Sequence, residues 1–188
     1  MIGNRKVIIA TTLSNSLMTG YYPTCYAAIK SWSSADYVDE IVIAEGFSED
    51  DTIQKISKAS NKIKILSKYK WPVNNWNWEN LYNQYDTIYS YCLESKEDLI
   101  MIYLSSDQVF TDNFKEELRL ALKDFEKNNK FDFFLMPFVK TISYEFITRR
   151  YEYSPHFHLH SALKFDKKRK WLKVRGSNTN LKMPAGED

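Results

Sequence analysis

The chain has 188 residues, of which 44% are apolar and 27% charged, with a formal net charge of +2. That size and balance suit one compact domain, and five Gly and five Pro exclude collagen-like and low-complexity classes. No apolar run approaches the roughly 18 residues of a membrane span, and the stretch after Met1 is too short for a signal peptide.

KVIIAT, Lys6 to Thr11, is a short β-branched apolar run that predicts a buried strand. Pro23 then suits a first helical turn, and Cys25, Ala28, Ile29 and Trp32 recur at helical spacing. DEIVIA, Asp39 to Ala44, predicts a second strand, followed by a GFSEDDT loop. Asp51 or Thr52 is placed to cap a short helix carrying Ile53 and Ile56. KIKIL, Lys62 to Leu66, alternates like a strand.

YKWPVNNWNW, residues 69 to 78, predicts a loop rich in Trp and Asn. A helix is expected from Glu79 to Leu93, with Leu81, Tyr85, Ile88 and Cys92 on one face. LIMIYL, Leu99 to Leu104, is the most apolar strand and is expected at the sheet centre. Asp112 is the expected N-cap of a helix to about Lys127, with Phe114, Leu118, Ala121, Leu122 and Phe125 as its apolar stripe. FDFFLMP, Phe131 to Pro137, predicts another strand, after which the pattern weakens. No final element is legible before MPAGED, which fits a fragment of a longer chain.

Strands alternating with helices imply an α/β domain with a mainly parallel sheet. Ligands of such sheets bind at the carboxyl ends of the strands, which points to loops 11 to 15, 45 to 52 and 105 to 110. The chain reads as a single domain over residues 1 to 188, with no repeat and no strong boundary.

Charge is uneven. Residues 36 to 52 hold seven acids and no Lys or Arg, whereas residues 140 to 182 hold eleven bases and three acids. The basic end suits phosphates, nucleic acid or an anionic membrane, or a solvated tail. Aromatics make up 15% of the chain, enough for both a core and a stacking surface for a sugar or base. Cys25 and Cys92 are too few for a disulfide framework and read as thiols of a reducing cytoplasm.

The motifs of dinucleotide folds and P-loop enzymes are absent, as are HExxH, CxxC and GxSxG. His156, His158 and His160 alternate and would share one strand face, which suits either a metal or an exposed edge. Glu45 and Asp107 are the more informative acids, each just after a predicted strand. A carboxylate at Asp107 suits a hard divalent cation bridging a diphosphate, or else a turn cap.

These residues carry a resemblance. DEIVIAEGFSEDDTIQKI resembles the segment of family 2 inverting glycosyltransferases that reads E-I-V-V-V-D-x-x-S-x-D-x-T, with Glu45 in place of the Asp and Ser48, Asp50 and Thr52 kept. EDLIMIYLSSDQVFTDNFKEEL resembles their G-D-W-I-x-x-L-D-A-D-E-x-L segment. The likeness spans roughly residues 5 to 127 and also includes the KVIIATT opening.

The resemblance implies a GT-A fold, a nucleotide-sugar donor (a UDP-sugar, or a GDP-sugar) and a Mn²⁺ or Mg²⁺ ion. It places Thr11, Thr12, Glu45, Asp86, Ser106 and Asp107 at the nucleotide, with Asp107 also as the metal ligand. Residues 5 to 127 become the nucleotide-binding part and residues 128 to 188 the acceptor side. Glu187 and Asp188 resemble the family's downstream pair that supplies the general base. Trp76 and Trp78 suit contacts to a sugar or acceptor, and Lys167 to Arg175 suit the diphosphate or an anionic acceptor. Two departures stand out: Ser105 occupies the position of the metal motif's first Asp, and Gln108 that of the acid after the second.

The expected activity is transfer of a sugar from a nucleotide-diphosphate donor to a glycan or other hydroxyl acceptor, with inversion and metal assistance. The alternatives are a degenerate domain of the same fold that binds nucleotide or glycan without turnover, and an α/β module binding nucleic acid through its basic region. No nucleic-acid partner is expected under the first reading. A homo-oligomer is plausible on the aromatic content.

Overall fold

A computed structural model of the chain describes residues 1–71, 78–127, 133–135, 138–139, 151–152 and 161–165. Eight strands and four α-helices lie in the described residues: β1 (Lys6–Leu13), α1 (Tyr22–Ser33), β2 (Glu40–Glu45), α2 (Thr52–Ile56), β3 (Ile63–Ser67), α3 (Trp78–Glu94), β4 (Leu99–Tyr103), α4 (Asp112–Lys127), β5 (Phe133–Leu135), β6 (Phe138–Val139), β7 (Tyr151–Glu152) and β8 (Ser161–Phe165). A single 3₁₀ turn, Ser57–Ala59, extends α2.

Six strands form one sheet in the order β3-β2-β1-β4-β8-β5. The first four are mutually parallel, and β8 runs antiparallel between β4 and β5. β6 and β7 pair antiparallel in a separate two-stranded sheet.

The apolar runs of β1, β2 and β4 follow from burial on both faces, as parallel strands covered by crossover helices require. Val7, Ile9, Ile41, Ile43, Ile100 and Ile102 pack with Ala28, Ile29 and Trp32 of α1 and Leu118, Leu122 and Phe125 of α4. Ile8, Ala10, Val42, Ala44, Leu99 and Met101 turn the other way, with Tyr85, Ile88 and Cys92 of α3. The expected stripe of α3 is therefore its buried face, with Leu81 partly buried at its margin.

Four local expectations are corrected. β1 runs on to Leu13, so Thr11 and Thr12 are strand residues and the loop starts at Ser14. Glu45 ends β2 and does not lie in the following loop. Thr111, not Asp112, caps α4: the Phe114 N–H donates to its hydroxyl at 3.2 Å, while Asp112 pairs with Lys115 at 2.9 Å. Ala121 is exposed, because the stripe of α4 runs through Leu118, Leu122 and Phe125.

The predicted strand at 131 to 137 contains the shorter β5, and β8 has no counterpart among the predicted elements. No helix among the described residues is long and apolar enough to cross a membrane.

Candidate functional site

The carboxyl ends of β1, β2 and β4 share one edge of the parallel sheet, where such sheets bind ligands. β1 is also the switch point: the chain moves from it to β2 on one side, and β4 adds on the other.

The loop after β1 and the loop after β2 are clasped together by side chains. Asn15, at φ 49°, donates its N–H to the Ser48 hydroxyl at 2.9 Å, and its side-chain oxygen accepts the Glu49 N–H at 2.7 Å. Asn is among the few residues that tolerate this left-handed backbone, and its amide here finds local partners. Asp50 accepts the Met18 N–H at 2.8 Å and the Thr52 N–H at 2.9 Å. The Thr52 hydroxyl accepts the Leu17 N–H at 3.0 Å and lies 3.2 Å from the Ser16 hydroxyl.

Burial works against the charged form of Asp50, but hydrogen bonds from the Thr52 hydroxyl and the N–H groups of Met18, Thr52 and Leu17 outweigh it and lower its pKa. Ser48, Asp50 and Thr52, the three motif residues, thus hold two loops together.

Glu45 is buried, with 4% of its surface exposed. Its carboxylate accepts the Ser48 N–H and, at 3.0 Å, the Ser67 hydroxyl of β3. Next to it, the Gly46 N–H donates to the Leu13 carbonyl at 3.1 Å, and the Gly46 carbonyl accepts the Trp71 N–H at 2.8 Å. A Cβ at Gly46 would stand 2.5 Å from the Trp71 Cβ, so the close approach requires glycine.

Thr11 is fully buried and its hydroxyl has no hydrogen-bond partner among the described residues. Thr12 is half-buried, its hydroxyl 3.4 Å from that of Tyr103. Tyr103 in turn meets Tyr85 edge-on at 4.8 Å. Burial pushes the Tyr103 phenol well above its ordinary pKa, so it stays protonated. Asp86 is half-buried on α3.

The turn after β4 holds Ser105, Ser106, Asp107 and Gln108. The Gln108 side-chain oxygen accepts the Ser105 N–H at 3.0 Å, and the Gln108 N–H donates to the Ser105 carbonyl at 3.1 Å. The Gln108 carbonyl takes the Trp32 indole N–H at 2.7 Å, which ties the turn to α1. Ser106 accepts from the Cys25 thiol at 3.6 Å, and Asp107 is exposed. Burial raises the Cys25 pKa and the nearby Asp107 adds to it, against the Ser106 hydrogen bond. Cys25 therefore remains a neutral thiol.

Among the described residues, no group of three or more His, Cys, Asp or Glu side chains is placed to hold a metal. The donor set explains this: Ser105 brings no charge, the Gln108 oxygen is spent on Ser105, and the Glu45 carboxylate is occupied by Ser48 and by Ser67 of β3. A pre-formed divalent-cation centre does not fit these residues. Trp76, Glu187, Asp188, the three histidines and the basic stretch 167 to 175 lie outside the described residues, and Trp78 is placed only as the first residue of α3.

The fold has counterparts among solved structures at low sequence identity. The structure of 4-diphosphocytidyl-2C-methyl-D-erythritol synthase from Anaerococcus prevotii superposes with a TM-score of 0.51 at 13% identity, over 89% of this chain and 72% of that one. The fold is GT-A-like. Residues 1-349 of TarS from S. aureus align at 16% identity and a TM-score of 0.48, over 69% of this chain and 34% of that one. A mannosyltransferase from Pyrobaculum calidifontis, in complex with GDP-Man and Mn²⁺, aligns at 10% identity and 0.47, over 70% and 35%. The chain thus spans about a third of each of these last two structures. No family model matches the chain, and no curated protein matches it by sequence.

Sequence reasoning missed Asn15 and Gly46 as organisers of the GT-A-like edge. Asn after a strand and before a helix is a signal for a left-handed turn and could have marked the first.

Proposed function

We propose that the chain is the nucleotide-binding part of an inverting glycosyltransferase that uses a nucleotide-diphosphate sugar. The observation that carries the reading is the clasp of the β1 and β2 loops by Asn15, Ser48, Asp50 and Thr52, together with an exposed Asp107 after β4, on the same edge of a GT-A-like sheet.

In this reading Thr12, Ser106 and Asp107 face the donor. Thr11 and Glu45 act from behind, because both are buried and the Glu45 carboxylate is bonded to Ser48 and Ser67. Asp86 on α3 is assigned to the nucleoside side. Asp107 is the one carboxylate of this turn that would meet a Mn²⁺ or Mg²⁺ ion carried by the donor's phosphates, and such an ion would supply neutralisation of the departing diphosphate's charge. The acceptor hydroxyl oxygen forms a bond to the anomeric carbon as the bond to the nucleoside diphosphate breaks. A carboxylate takes the hydroxyl proton, and Glu187 and Asp188 are its assigned source. Trp76 and Trp78 are assigned to the sugar or acceptor. A UDP-sugar is the favoured donor, a GDP-sugar the other.

A second reading, a domain of this fold that binds nucleotide without turnover, is favoured by one observation. The Gln108 side chain closes onto Ser105 where two acids would otherwise stand. Calorimetric titration with UDP and GDP, with and without Mn²⁺, tests the binding common to both readings. Binding lost in Asp107→Ala supports the donor site, and absence of binding to either nucleotide by the folded chain sinks it. Sugar release from UDP-sugars then separates transfer from binding alone.

A further inference from the structure

Two non-glycine residues among those described have positive φ: Asn15 at 49° and Phe47 at 56°. Asn15 earns its conformation through its side-chain hydrogen bonds. Phe47 has no such means, and a bulky aromatic in this region is a true outlier. The residue is also 48% exposed.

The backbone on either side is locked without help from that ring. Gly46 is held by Leu13 and Trp71, and Ser48 by Glu45 and Asn15. Glycine or asparagine would satisfy the same geometry at lower cost. Strain and an exposed apolar ring together, at a ligand edge, are a signature of function rather than of packing.

We propose that Phe47 is the stacking face for the donor's nucleobase, an assignment that rests on the nucleotide reading above. Phe47 follows β2, while Asp107 follows β4, and β1 lies between those strands. Two strand spacings amount to about 10 Å. A donor with its diphosphate toward Asp107 extends its nucleoside across β1 toward β2, and the base arrives at Phe47. Every base has a π-face, so the contact serves uracil and guanine alike.

The test compares wild type with Phe47→Asn, which accepts the left-handed backbone but has no ring, and with Phe47→Tyr, which keeps one. UDP affinity and Tm are measured for each. The expected result is about a tenfold loss of UDP affinity in Phe47→Asn. Its Tm stays at or above that of wild type, because relief of strain offsets the lost ring contacts. Phe47→Tyr binds UDP as wild type does. Unchanged UDP affinity in Phe47→Asn overturns the proposal, and so does an affinity loss matched by a fall in Tm of several degrees, the mark of a packing role. Wild type that binds no nucleotide overturns the nucleotide reading itself, a result distinct from either.

Discussion

The Gln108 side-chain oxygen sits 3.0 Å from the Ser105 backbone N–H and closes the turn after β4 on itself. An amide can do this and remain neutral, whereas a carboxylate there would add a charge beside Asp107 and repel it. The turn is thereby closed by neutral groups. Wild type should bind Mn²⁺ alone only at millimolar concentration or weaker, by the general weakness of single-carboxylate sites. The double variant Ser105→Asp with Gln108→Glu should bind it measurably tighter, as read by calorimetry without nucleotide. Equal Mn²⁺ affinity in both proteins would show that the missing acids do not limit the site.

Thr11 presents a buried hydroxyl with no partner among the described residues. Thr11→Val keeps the shape and removes the unpaired group, so stability should rise by about 1 kcal/mol, the order of a desolvation penalty recovered. UDP affinity should not change, because the side chain is sealed from solvent. Chemical denaturation and nucleotide titration read the two effects separately, and a loss of UDP affinity would show that Thr11 supports the ligand.

Gly46→Ala brings a methyl group to within 2.5 Å of the Trp71 Cβ. Neither backbone can retreat freely, since the Trp71 N–H is bonded to the Gly46 carbonyl. Overpacking of this kind costs about 1 to 3 kcal/mol. Thermal melting should show the loss, and near-ultraviolet circular dichroism should show a displaced indole.

The Asp50 carboxylate has a lowered pKa in the folded chain. Its contribution is therefore fully present above the ordinary aspartate value of about 3.9 and is lost as pH falls through the lower folded value. Asp50→Asn should cost about 1 kcal/mol at neutral pH, an amount kept small by the group's exposure. The stability gap between variant and wild type should narrow as pH is lowered from 6 toward 3. A gap that stays constant with pH would mean that the charge plays no part in the clasp.

The parallel half of the sheet was legible because its physics is local. IIA, IVIA and LIMIY are continuous apolar runs, as strands buried on two faces must be, and the helices between them carry apolar residues at a 3.6 period. β8 was not legible, because SALKF contains a lysine, is short, and owes its strand state to partners in β4 and β5 far away in the chain.

The site divided in the same way. The place of Asp107, exposed in the turn after β4, could be read from the apolar strand before it. The roles of Ser48, Asp50 and Thr52 were not, since each is defined by a bond to a loop more than thirty residues earlier. Glu45 read as a loop residue because acids are rare inside strands, and only the Ser48 N–H and the Ser67 hydroxyl make its burial tolerable.

The antiparallel insertion of β8 has a consequence for how the chain is made. Leu99 pairs with Phe165, so the outer edge of β4 finds its partner only after residues 161–165 have left the ribosome. Until then LIMIY, whose five residues are all buried in the finished sheet, offers an open row of backbone donors and acceptors. An apolar edge in that state is a template for other chains. Nascent or proteolysed chains ending before residue 161 should therefore self-associate through β4, whereas those reaching residue 165 bring their own cover.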